Sequence, residues 1–178
     1  LNKGVIIGDV LFADVPGISD FSGTLTWMRP ADAKAAMFKT GFLTESDSLG
    51  SRFAKPAINR RLIFLANAGG NGLLFFSGGG LVGTLERLSL LTAANAGIVP
   101  MQGGDVATFV PVATTGLLSG SFLHEGIQKT LPYKGVFFQE QQRAEGYFLG
   151  GSLGGNVTFH ANPDLPPGTD DEGPIGTA

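Results

Sequence analysis

Residues 133–159 read YKGVFFQEQQRAEGYFLGGSLGGNVTF, and this stretch decides the fold. It yields three apolar runs, Leu131–Gln139, Gly146–Leu149 and Asn156–His160, with Gln, Glu and Gly clusters between them. Neighbouring side chains of a strand point to opposite faces, and β-branched and aromatic residues pack well on such a surface. Phe137-Phe138 therefore sets one ring on each face of its strand. Runs this short, joined by glycine turns, make antiparallel neighbours rather than crossovers.

The same pattern extends outward. Gly4–Val15, Ser22–Met28, Met37–Thr44, Leu49–Phe53, Asp105–Val112 and Leu117–His124 all read as strands punctuated by Gly or Pro. Leu62–Asn67 and Leu73–Ser77 flank Ala68-Gly69-Gly70-Asn71-Gly72 and read as a hairpin. Ala31–Ala36 is a run of good helix formers, enough for a single turn. Thr84–Asn95 fits two readings. Leu85, Leu88 and Leu91 keep helical spacing, whereas Leu88, Leu90 and Thr92 fit one strand face. The expected fold is all-β, a mostly antiparallel β-barrel or β-sandwich of about ten strands, with at most one or two short helices.

Composition narrows the functional classes. Of 178 residues, 28 are Gly, 14 are Phe and none is Cys, which excludes a disulfide scaffold, a thiolate metal site and a cysteine nucleophile. The net charge of −3 argues against nucleic-acid binding. The apolar runs fall short of a transmembrane helix.

Strings that imitate catalytic motifs do not hold up in context. Gly78-Gly79-Gly80-Leu81-Val82-Gly83 fits the dinucleotide fingerprint, but no βαβ series surrounds it and so glycine-rich a chain carries such strings by accident. Gly150-Gly151-Ser152-Leu153-Gly154 imitates a nucleophile elbow, yet a strand, not a helix, follows it. A glycine hairpin accounts for it. His124 and His160 are expected as strand-end histidines without zinc-ligand spacing. Glu140 and Glu145 are read as solvating a turn, and Asp170-Asp171-Glu172 as acidic tail rather than a calcium loop. Trp27, Tyr133 and Tyr147 are expected in core packing, with a sugar-stacking platform as the alternative. No catalytic residue, cofactor or metal is expected.

Charge placement supplies the candidate interaction residues. Arg29–Arg61 holds seven basic residues (Arg29, Lys34, Lys39, Arg52, Lys55, Arg60 and Arg61) against three acidic ones, a net charge of +4. From Asn162 to Ala178 there are four acids and no base, with the Pro and Gly content of a linker. The expected organisation is one all-β domain over residues 1–161 and an acidic tail over 162–178. Docking of Asp170, Asp171 and Glu172 on the basic segment, within a subunit or between two, is the functional reading. Leu1–Val15 is apolar and β-prone. Two readings stay open, addition to the sheet edge of another chain and first strand of its own sheet. The start at Leu1, without Met, leads us to expect an upstream segment, cleaved or part of a larger protein.

The quoted stretch also resembles a β-rich repeat module of very large secreted or cell-surface bacterial proteins. Gly135, Gln139, Gln141, Gly146, Tyr147, Phe148, Leu149, Gly150 and Val157 carry the likeness, with Thr115–Phe122 as the preceding hairpin and Ser22–Trp27 with Gly50-Ser51-Arg52 as the opening. The resemblance covers about residues 21–160. It implies export and a structural or adhesive role, and it supplies no catalytic residues. Low charge, many glycines and abundant β-sheet suit packing against copies of itself, in a homo-oligomer or larger assembly. The expected function is accordingly non-enzymatic, with a small-ligand or glycan-binding β-module as the alternative.

Overall fold

The computed structural model describes residues 4–35, 37–100 and 107–167. Asp170, Asp171 and Glu172 lie outside the described residues. The stretch 1–161, expected as one domain, is shared between two compact units, Leu1–Arg52 and Phe53–Ala178.

The first unit is a three-stranded antiparallel sheet in the order β1 (Val5–Val15), β2 (Ser19–Arg29), β3 (Phe42–Gly50). Pro16-Gly17 turns the chain between β1 and β2, with Gly17 at φ 74° and the Ile18 N–H donating to the Val15 carbonyl at 2.9 Å. β1 is thus the first strand of its own sheet, as one of the two readings has it. Of the run Ala31–Ala36, the described residues 31–35 hold a turn rather than helix, and Ala36 lies outside the described residues. No helix occurs among the described residues.

The second unit is an eight-stranded antiparallel sheet. Its strands are β4 (Gly72–Gly78), β5 (Leu85–Leu91), β6 (Gly97–Ile98), β7 (Ala107–Val112), β8 (Leu117–His124), β9 (Lys129–Phe138), β10 (Arg143–Gly150) and β11 (Leu153–Ala161). The spatial order is β6-β5-β4-β11-β10-β9-β8-β7. The ends of that order meet. A Cβ on Gly97 of β6 would collide with the Phe109 carbonyl oxygen of β7. The sheet is therefore a nearly closed barrel, which decides between barrel and sandwich and protects both edges. Thr84–Asn95 resolves as strand β5 over Leu85–Leu91, followed by a turn in which the Asn95 N–H donates to the Thr92 carbonyl at 2.8 Å.

The barrel interior explains the glycine and phenylalanine content together. Inward positions carry Phe76, Phe109, Phe122, Tyr133, Phe137, Phe148 and Phe159, all buried. So many rings fit only where the facing position is empty of side chain. Tyr133 stands opposite Gly120, and Phe148 opposite Gly155. A Cβ on either glycine would strike the facing ring. The first unit repeats the device, with Phe21 opposite Gly50. Large and small residues alternate across a curved sheet in this way to fill its taper.

The strands expected over Met37–Thr44 and Leu49–Phe53 are replaced by the single strand β3, Phe42–Gly50, and one further element is corrected. Leu62–Asn67 is not a strand and makes no hairpin with β4. It belongs to an irregular segment over residues 53–71 that sends Leu62, Ile63 and Leu65, all fully buried, into the same core as the barrel's rings. A buried irregular backbone needs partners for its amides. Side-chain amides supply them. The Leu62 N–H donates to Asn95 Oδ1 at 2.8 Å, and the Ala54 N–H to Gln139 Oε1 at 2.8 Å. Gln142 Oε1 accepts from the Phe64 N–H. Asn71 Nδ2 donates to the carbonyls of Ala66 and Leu91 at 3.1 and 3.0 Å, and its Oδ1 accepts from the Leu91 N–H at 2.9 Å. The segment is a plug tied to the barrel by Asn and Gln.

Candidate interaction surface

In the first unit the register assigns every strand residue to a face. Ile6, Gly8, Val10 and Phe12 on β1 lie beside Trp27, Leu25, Gly23 and Phe21 on β2, which lie beside Thr44, Ser46, Ser48 and Gly50 on β3. This face bears no charge over those rows. Phe12 and Phe21 pack at 5.7 Å between ring centres, and Trp27 meets the edge of Phe42 at 4.9 Å. Both clusters remain open, with Phe12 79% and Trp27 48% exposed. The opposite face has an acidic centre. Asp9, Thr24 and Asp47 form one row across the three strands, and the Thr24 hydroxyl donates to Asp47 Oδ1 at 3.1 Å. Glu45 sits in the next row, beside Thr26 and Ile7.

β1 is exposed at all 11 of its residues. Among the described residues it pairs with β2 alone, so one row of its backbone N–H and C=O groups is open. Such a row is a ready template for another strand.

The second unit presents a different surface. Its interior is occupied by the plug and the rings. At one end, residues 81–85 and Glu125-Gly126 line a shallow open groove of about 290 Å³. Next to it His124 ends β8. It is a strand-end histidine as expected, and it is buried against Phe122 and Phe148. Its Nε2 lies 3.0 Å from the Gly79 carbonyl, so Nε2 carries the proton, and Nδ1 has no hydrogen-bond partner. His160, half-buried, stacks on Phe75 at 4.9 Å. Burial pushes the Tyr133 phenol well above the usual tyrosine range, and its hydroxyl donates to the Thr108 carbonyl at 2.7 Å.

The charged candidates divide between the units. Arg29, Lys34, Lys39 and Arg52 belong to the first, and Lys55, Arg60 and Arg61 to the second. Lys34, Lys39, Arg52 and Lys55 are exposed, Arg29 and Arg60 half-buried. Arg61 is buried, and its guanidinium donates to the Leu91 carbonyl at 2.9 Å and to Asn67 Oδ1 at 3.2 Å. It serves the plug. Of the three aromatic residues expected in core packing, Tyr133 is buried while Trp27 and Tyr147 are exposed. The apolar face of β1–β3 is absent from the charge-based candidate set. The alternation about Pro16-Gly17 contains the signal, since a tight turn there brings Phe12 beside Phe21 and Ile6 beside Trp27.

No protein-family model matches the chain, and no curated protein matches it. Among solved structures the chain is similar to the crystal structure of the vaccine antigen Transferrin Binding Protein B, a double mutant, from Haemophilus parasuis Hp5. The identity is 9%, the match covers 88% of this chain and 34% of that one, and the TM-score is 0.33. The chain thus spans about a third of the length of that structure's chain. The stretch behind the family resemblance is three antiparallel strands, β9 to β11, in keeping with a β-rich module. Among the described residues no helix is long and apolar enough to cross a membrane.

Proposed function

We propose that this chain is a structural or adhesive module of an exported or cell-surface bacterial assembly, and that it packs against copies of itself through the sheet of its first unit. The observation that carries the reading is the open, uncharged face of Ile6, Val10, Phe12, Leu25 and Trp27 beside an unpaired strand edge. Three strands of this length span about 33 by 14 Å, roughly 450 Å² a face. The apolar part of a face of that size is comparable with the largest patches of soluble proteins, about 300–600 Å², which are often functional. The barrel supports the same reading from the other direction. Among the described residues, the plug and the rings share one packed core inside the barrel. The function needs no catalytic step.

One observation favours the second reading, a glycan-binding module. Trp27 is exposed with Phe42 at its edge, and Tyr147 is exposed on β10. Light scattering after size exclusion at several concentrations, beside a glycan array, separates the two. The assembly reading expects a mass that rises with concentration and no sugar preference. A constant monomer mass with a clear sugar preference overturns it.

A further inference from the structure

We infer that β1 is the self-recognition strand, pairing antiparallel with β1 of a second copy about a two-fold axis at Val10. This deepens the proposed function and rests on its self-packing. The pairing joins two three-stranded sheets into one of six strands, with both uncharged faces on the same side, and closes the open edge of each copy.

Three features of the strand choose this register. The first is overlap. Val10 is the middle residue of Val5–Val15, so an axis there gives the two strands their greatest overlap, whereas an axis at Gly8 or Leu11 leaves more residues at one end without partners. The second is charge. β1 holds two acids, Asp9 and Asp14, and no base. An axis at Asp9 sets the two Asp9 carboxylates opposite each other, which is destabilising. An axis at Val10 sets Asp9 opposite Leu11 instead.

The third feature is a glycine–ring pairing that recurs at three of the chain's strand glycines. Gly50, Gly120 and Gly155 each stand opposite an aromatic ring, Phe21, Tyr133 and Phe148, that covers the bare backbone. Gly8 has Leu25 on its β2 side and nothing described on the other. The Val10 register places Phe12 of the second copy opposite Gly8, twice by symmetry, and covers the most exposed ring of the strand. A bulge between Phe12 and Val15 bends the strand beyond this point, so pairs from Gly8 to Phe12 form the regular centre.

The chain has no cysteine, which makes single-cysteine probes clean. Val10→Cys brings the two thiols together at the axis. Ile58→Cys, in the second unit and more exposed (92% against 38% for Val10), does not. Each variant is mildly oxidised and run on a non-reducing gel, with light scattering of the reduced protein alongside. The register predicts a doubling of mass for Val10→Cys and an unchanged mass for Ile58→Cys. Self-association by light scattering without a Val10 cross-link overturns the β1 pairing and leaves the assembly reading standing. A monomer by light scattering at every concentration overturns both. Equal cross-linking of the two variants also overturns the pairing, since it marks random collision.

Discussion

Glycine in this chain does two jobs that look the same in the sequence. Some glycines turn the chain, as Gly17 does at φ 74°. Others give up their side chain so that a ring can lie on the strand, as Gly120 does for Tyr133. Counting 28 glycines suggests punctuation, and the second job is invisible without the register that brings each ring to its glycine. Buried polar residues follow the same logic. Asn71 joins Ala66 and Leu91 through three hydrogen bonds, so Asn71→Ala removes all three and strands the Ala66 carbonyl and the Leu91 N–H, while Arg61 still serves the Leu91 carbonyl. We predict a loss of about 3 kcal/mol in urea unfolding, whereas a loss under about 0.5 would place those groups in contact with water. Tyr133 links stability to pH. Its folded pKa is raised above the unfolded value of about 10, so its contribution is complete below that pH. It declines as the solution becomes more alkaline, because the unfolded chain gives up the proton first. Tyr133→Phe is expected to lose about 1 kcal/mol at neutral pH with the Thr108 hydrogen bond, and to flatten the alkaline decline. A decline of unchanged slope in the variant would assign the effect to other groups.

At the scale of elements, hairpins were the most legible part. β10 and β11 are joined at Gly151-Ser152, where the string resembles a nucleophile elbow, and the strand after it settles the matter. The plug was not legible. Leu62–Asn67 has the composition of a buried strand, and nothing local separates a strand from an extended segment whose hydrogen bonds go to side chains. Its partners, Asn95, Gln139 and Gln142, lie 33 to 85 residues away. The plug is nonetheless core. Leu62→Ala is expected to cost 2–5 kcal/mol, in the usual range of about that size for a leucine removed from a packed interior. Ile58→Ala, 92% exposed in the same segment, is expected to change stability by less than about 0.5 kcal/mol. Equal effects would mean that the segment does not fill the barrel.

For the whole molecule, the all-β class follows from alternation and short turns, and barrel rather than sandwich follows from β6 meeting β7. The division at Arg52 and Phe53 was hidden because no linker composition marks it and β-prone segments run on either side of it. The candidate surface was partly legible. β1 reads from sequence as a strand able to add to a neighbour, but the charge pattern drew the candidate set to Arg29–Arg61, whose members the fold distributes over two units. The central claim is that copies meet through the sheet of the first unit. Amide hydrogen exchange, followed at low and high protein concentration, tests it at the residues concerned. The account predicts that the amides of Ile6 to Phe12 exchange more slowly as concentration rises, while those of the second unit's outer loops, such as Val82 to Thr84, do not change. Exchange on β1 that stays equally fast at every concentration, in a sample that light scattering shows to be associated, would contradict it.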